Sequence, residues 1–342
     1  MKKMRRLSVA VAAGLTLALS ACSFGGSDDI VISYNSPEQW ANWGAVLDAF
    51  SDETGIDAPS DDKNSGKVMA ALESEKGSPA GDTAYYGITF GMEAQEAGLV
   101  APFEHERLAD IPDTLKADDG SWFTVHHGAV AFLVNTEAIG DVAVPQCWED
   151  LTKPEYRGLV SWLDPATAAV GQSVVTAANL ALGGDFDNWQ PAIDWANAVK
   201  GDGALQLPTE TATNQLAQGE IPILIDADFN GYQIAQAQNA PIEVVLPCEG
   251  SLSMPYVMSL VKDAPHQENA EALLDFVLSD KAQTLFAESF IRPIFDVEVS
   301  DEVSAVMLPD EQYEELVELP DFAEMNAGIP NMIELWNAEV VV

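Results

Sequence analysis

Ile30-Val-Ile-Ser-Tyr34, then Asn35-Ser36-Pro37, then an amphipathic run over 38–54 is the stretch that decides the fold. The first five residues read as a buried strand. Ser36 suits a helix N-cap and Pro37 a first helical position, where its missing N–H costs nothing. Along 38–54, Trp40, Trp43, Val46, Leu47 and Phe50 fall at three- and four-residue spacings, so one helical face is apolar. A strand that passes to a helix through two polar residues and a proline is the opening of a β–α unit.

The same alternation runs down the chain. Periodicity predicts further helices over 65–75, 90–97 (stopping at Gly98), 168–182, 189–200, 213–218, 229–238, 267–278 and 280–288. Strands are expected over 83–88, 125–135, 158–163, 221–226, 242–246 and 256–261. The acidic and apolar stretch 310–342 reads as helical and carries no chemistry. Strands alternating with helices predict α/β layers with largely parallel sheets. No repeat, low-complexity tract or coiled coil interrupts them.

Upstream of the first strand, Lys2, Lys3, Arg5 and Arg6 precede an apolar run over 7–19 and then Leu19-Ser20-Ala21-Cys22. A basic head, an apolar stretch too short to span a bilayer and small residues before a cysteine form an export signal of the lipoprotein kind. Residues 1–21 are then a signal peptide, Cys22 the lipidated residue and 22–29 a short tether. The expected location is the extracytoplasmic face of the cell membrane, held by the lipid. Charge separates the signal from the rest: the chain has 15 basic and 55 acidic residues, net −40, and no acid lies in the first 22. Such a surface repels phosphate backbones, which excludes nucleic acid as a partner. It serves solubility or attracts cationic solutes.

With Cys22 assigned to lipid, Cys147 and Cys248 remain. In an oxidising compartment they form a natural disulfide pair, two buried free thiols being the alternative. Neither belongs to a CxxC motif. Reactive constellations are missing elsewhere: there is no GxSxG, HExxH or Walker A loop. His105-Glu106 has Ala109 where a second zinc histidine belongs, and Gly201-Asp-Gly203 lacks the third glycine of a dinucleotide loop. Catalytic residues, metal and cofactor are expected to be none, and binding without chemistry is the leading class.

From residue 30 to about 330 the chain resembles a solute-binding protein of an ABC importer, in the broad group of ferric-ion, polyamine, phosphonate and hexose-phosphate binders. Several stretches carry the resemblance in order. Tyr34-Asn-Ser-Pro-Glu-Gln-Trp40, Glu96-Ala-Gly-Leu-Val-Ala-Pro-Phe103 and Val134-Asn-Thr136 come first. Cys147-Trp-Glu-Asp-Leu151, Pro154-Glu-Tyr-Arg-Gly158 and Gly219-Glu-Ile-Pro-Ile-Leu-Ile225 follow. Asp228-Phe-Asn230, the run Pro265-His-Gln-Glu-Asn-Ala-Glu-Ala-Leu-Leu274, Asp280-Lys-Ala-Gln283 and Arg292-Pro293 complete it. The resemblance implies a two-lobed periplasmic-binding-protein fold, type II-like, with two crossing strands as hinge. Lobe one would be 29–133 plus 250–342 and lobe two 134–249, with crossings near 131–135 and 244–250. Both cysteines would then belong to lobe two near the hinge.

Ligands of α/β sheets sit beyond the carboxyl ends of strands. That rule selects Ser36 and Trp40, then Tyr86 (beside Tyr85) and Thr89, and His127 before the crossing. From lobe two it selects Thr167, Asp226, Asp228, Phe229 and Asn230, with Tyr256 returning from lobe one. Ferric-ion binders of this kind place adjacent tyrosines after the Gly-Glu strand, where this chain has Asp228-Phe229-Asn230, which leaves iron a minority reading. A polyamine-like cation on Asp226 or Asp228, stacked on Trp40, Tyr86 or Phe229, is slightly preferred. An organophosphate or phosphonate on helix N-termini is the alternative, and a secreted enzyme on a bilobal scaffold the alternative class. The expected partners are membrane permease subunits and a small solute, with the protein itself a monomer.

Overall fold

The computed structural model describes residues 29–201, 203, 205–208 and 212–341. The signal peptide, Cys22 and nearly all of the tether lie outside the described residues. The chain first lays down β1 (Ser33–Tyr34), α1 (Trp43–Thr54), α2 (Ser65–Glu75), β2 (Thr83–Gly87), α3 (Ile88–Glu96), β3 (Val100–Ala101) and the long strand β4 (Phe123–Asn135). A second group follows: β5 (Val160–Ser161), α4 (Ala169–Ala181), α5 (Gln190–Lys200), α6 (Thr213–Ala217), β6 (Ile223–Ala227), α7 (Asp228–Gln238) and β7 (Ile242–Val245). The return leg is β8 (Ser251–Val261), α8 (Gln267–Val277), α9 (Asp280–Ala287), β9 (Arg292–Pro293), α10 (Asp301–Ser304), α11 (Asp310–Leu316), β10 (Val317–Glu318) and α12 (Phe322–Glu339).

β4 divides the molecule. From Phe123 to Ala129 it pairs with β8, and from Val130 to Asn135 it pairs with β6 and β7. The strands around β8 (β1 through β2, β3, β9 and β10) build lobe one; β5, β6 and β7 build lobe two. The chain therefore changes lobe at Ala129–Val130 and returns through 246–250. Largely parallel sheets were expected, and this is corrected: β1–β2, β5–β6 and β8–β10 are parallel, but every pairing between β4 or β8 and β2, β3, β6, β7 or β9 is antiparallel, as is β4–β8. The reason is topological. A strand that crosses between lobes enters each sheet against the direction of the β–α units already there.

The helix expected over 38–54 starts only at Trp43, because Ala41 and Asn42 adopt left-handed backbone (φ 50° and 59°). That break lets Trp40 leave the α1 face and turn toward the cleft, while Trp43, Val46, Leu47 and Phe50 stay in the lobe-one core. Lobe two centres on indoles, with Trp162 against Trp195 and Trp195 against Trp148, each pair 5.2 Å between ring centroids. α12 reaches that core from the far end of the sequence. Its Trp336 ring lies 6.0 Å from Trp162, and Lys200 Nζ donates to the Val340 carbonyl at 2.6 Å. The end of the chain, placed with lobe one by the resemblance, thus packs on lobe two as well.

Cys147 and Cys248 are joined in a disulfide. The bond ties the first segment of lobe two to the returning crossing. There Cys248 N–H donates to the Gln146 carbonyl, and the Glu249 carboxylate accepts from the Trp148 and Glu149 N–H groups. A cross-link closing a loop of this length, 101 residues, restricts the unfolded chain and stabilises by about 4.7 kcal/mol on the chain-entropy relation. Replacing both cysteines by serine is expected to lower unfolding free energy by about that amount in denaturant titration. A loss near zero would mean that the hydrogen bonds alone hold the crossing.

Candidate functional site

A cavity of about 510 Å³ lies between the lobes. Lobe one contributes Asn35, Glu38, Gln39 and Trp40 from the turn after β1, the loop 60–65, and Tyr256 from β8; lobe two contributes Leu163, the start of α4 and Thr213-Asn214. Trp40 and Tyr256 form its aromatic wall, with ring centroids 5.4 Å apart. Tyr256 is buried, and its hydroxyl makes no hydrogen bond to any described residue.

Two helix starts converge here from opposite lobes. α2 begins at Ser65, with Asn64 accepting from Lys67 N–H; α4 begins at Ala169, and no side chain caps its first turn. Neither first turn contains an acid, so the amide ends present positive potential to the cavity. The lobes touch closely beside it. Gly66 N–H donates to the Thr167 carbonyl at 3.3 Å, and a Cβ on Gly87 would collide with that of Ala169. Lys63 is the cation among the cavity residues, held by Asp61 at 2.5 Å and lying 3.9 Å from the Tyr34 ring centroid. Glu38 and Asp62 also line the cavity, and both are exposed.

Of the eleven residues selected from sequence, Trp40 and Tyr256 line this cavity. Phe229 stands behind them, its ring 5.2 Å from Trp40. The others are placed elsewhere, each with a partner. Ser36 donates to the Ser33 carbonyl, Thr89 to Gln172 across the lobe contact, and Asn230 to Asp226. Tyr86 points into lobe one and donates to Ser259, because neighbours on a strand face opposite ways. Its neighbour Tyr85 takes the cleft-side face instead, accepting from Trp40 Nε1 at 3.0 Å and meeting His126 Nε2 at 2.7 Å. By the same alternation His127 turns away from His126 and sits opposite Arg292 in register. Burial, with the Arg292 charge second, lowers its pKa to about 4, so it is a neutral strand residue. Thr167 is exposed and meets lobe one through its carbonyl. Asp228 is neutralised by Arg292 at 2.7 Å, and Asp226 is wholly buried under the strand end. Neither carboxylate lines the cavity, which corrects their expected role as amine ligands. Sequence reasoning missed the 60–65 loop; the start of α4, just after Thr167, is the helix N-terminus on which the organophosphate alternative rests. The N-cap pattern of Asn64-Ser65 before a helix was the available signal.

Residues 80–326 match the family model described as bacterial extracellular solute-binding protein. The chain belongs to that family. Among its relatives, an uncharacterized protein of Haemophilus influenzae is 29% identical over 231 residues, 65% of this chain and 65% of that protein. A Salmonella typhimurium periplasmic protein named for 2-aminoethylphosphonate binding is 26% identical over 263 residues, 75% of each chain. The solute-binding protein also shares its fold with the periplasmic binding protein AfuA of Actinobacillus pleuropneumoniae, solved with fructose-6-phosphate. That likeness has a TM-score of 0.77 at 22% identity, covering 91% of this chain and 98% of the other.

Beneath the cavity wall of this solute-binding protein, burial pushes the Asp226 carboxyl up to about 7, against the hydrogen bonds from Ala227 N–H and Asn230. Its Oδ2 is buried without a partner. The folded protein therefore holds a proton between about pH 4 and 7 that the unfolded chain has released. The stability this residue contributes is present below pH about 4 and is lost as pH rises through about 7. Asp226→Asn keeps the shape and removes the titration. Its melting temperature is expected to gain on the parent protein as pH goes from 5 to 8. A difference that stays constant across that range would contradict the buried, protonated carboxyl.

Proposed function

We propose that this protein is the lipid-anchored receptor of an ABC importer, and that the solute it delivers is a small zwitterion bearing an oxyanion and an amine, of the aminoalkylphosphonate class. Export and anchoring rest on the signal ending at Cys22. Capture rests on the cavity built from both lobes, which a hinge motion closes. The observation that carries the ligand class is the uncapped start of α4 in the cavity that Tyr256, its hydroxyl without a hydrogen-bond partner among the described residues, also lines. Amide N–H groups at a helix start hold an oxyanion without a buried cation. Glu38 and Asp62, which line the same cavity, suit an ammonium group together with the face of Trp40. A ligand with only negative charge would meet those two carboxylates unpaired.

A second reading, a polyamine, draws on the same Glu38, Asp62 and Trp40, and a spermidine/putrescine-binding periplasmic protein of Haemophilus influenzae is 26% identical over 267 residues. It leaves the α4 amides and the Tyr256 hydroxyl without a partner.

A thermal-shift series with 2-aminoethylphosphonate, ethylphosphonate, fructose 6-phosphate and putrescine separates the readings. At about a hundred times its dissociation constant a bound solute adds about 2.7 kcal/mol. The largest shift is expected with 2-aminoethylphosphonate, and Tyr256→Phe should reduce it. A shift with putrescine that exceeds it, and that Glu38→Gln abolishes, would establish the polyamine reading instead.

A further inference from the structure

Outside the cavity, one buried charged cluster joins the two lobes. Asp228 opens α7 in lobe two, and its side chain is fully buried. Its Oδ2 accepts from Arg292 Nη1 and from the Tyr313 hydroxyl, each at 2.7 Å, and its Oδ1 accepts from Ala129 N–H at 2.8 Å. Arg292 stands on β9 and Tyr313 on α11, both on the lobe-one side, and the guanidinium lies 3.3 Å from the centroid of the Tyr313 ring. The Tyr313 hydroxyl also meets that of Tyr232, again on α7, at 2.9 Å. Ala129 is the residue at which β4 exchanges lobe-one partners for lobe-two partners. Five groups from four elements thus meet at the hinge.

A buried ion pair adds little over apolar packing, but breaking it on one side is costly because a charge is left unpaired. Across a hinge, that asymmetry opposes any rotation that separates the partners. We propose that Asp228, Arg292 and Tyr313 form an interlobe latch that sets how nearly closed the empty receptor rests, and so sets solute affinity without touching the solute. The proposal rests on the reading that solute is bound between the lobes. Apparent affinity scales with the population of the binding-competent form, so a shift in resting angle reaches the cavity directly. Phe229 supplies the mechanical link: it follows Asp228 on α7 and packs on Trp40 in the cavity wall.

The test uses the mature chain with Asp228→Asn, Arg292→Met and the double variant. Small-angle scattering of empty protein and stopped-flow binding of 2-aminoethylphosphonate are the readouts. Each single variant is expected to enlarge the radius of gyration and to speed solute release by about tenfold, with the association rate little changed. The double variant, which leaves no charge alone, should recover part of both effects. Unchanged radius and release in the single variants overturn the latch. Tyr313→Phe keeps the ion pair and removes one hydrogen bond; it should give a smaller shift of the same sign, and it decides the matter if the single variants do not fold. Should 2-aminoethylphosphonate fail to bind, scattering still tests the latch, and that failure counts against the ligand reading alone.

Discussion

Every other feature depends on β4 being shared. It is 13 residues long, almost wholly buried, and belongs to both lobes. A buried strand must have its N–H and C=O groups paired along both edges. Lobe one satisfies the first half through β8 and β9, and lobe two the second half through β6 and β7. Its sequence records the burden: Ala129-Val-Ala-Phe-Leu-Val134 is continuous apolar chain, as a strand covered on both faces requires. The exchange of partners happens between adjacent residues, Ala129 and Val130. The disulfide sits beside the return crossing, at Cys248.

Charge is scarce where it would be expensive. With 15 basic residues against 55 acidic ones, few cations are available, and those that matter are already engaged. Arg292 holds Asp228, Lys63 holds Asp61, and Arg107 donates to the Leu278 carbonyl and to Asp280. The positive potential of the cavity therefore comes from backbone amides, which carry no counter-ion and no pKa. Around it, burial keeps His126 neutral, with its pKa lowered to about 3, so the polar chain Trp40–Tyr85–His126 positions rings rather than moving protons.

Most elements were legible because apolar periodicity is local. The 65–75 helix falls on α2 as observed, and the strand expected over 125–135 lies within β4. The break at Ala41–Asn42 was not legible, since no glycine marks it and alanine seldom adopts positive φ. The strand-end rule selects Trp40 and Tyr256, which line the cavity. It failed for Tyr86 against Tyr85 because a strand's sequence does not say which face meets the cleft. It failed for Asp228 because Arg292, 64 residues away, was already its partner. Polar residues after a strand are equally good ligands and equally good structural ions until the fold brings their partners.

On the proposed reading of the site, the two converging helix starts would give solute binding its coupling to closure. α2 and α4 bring like-signed ends together across the cleft, and in this arrangement the Thr167 carbonyl relieves only one amide, that of Gly66. Like-signed helix ends resist approach, so without a guest the contact is electrostatically incomplete. An oxyanion between them turns that repulsion into attraction from both sides. Its interaction is strong only when both lobes are present, which is the differential affinity a ligand needs in order to shift a conformational balance. A buried lysine or arginine in one lobe would bind the same anion in the open form as well, and would waste that difference. If the solute is the proposed oxyanion, the shortage of basic side chains would be part of how closure is made conditional on it.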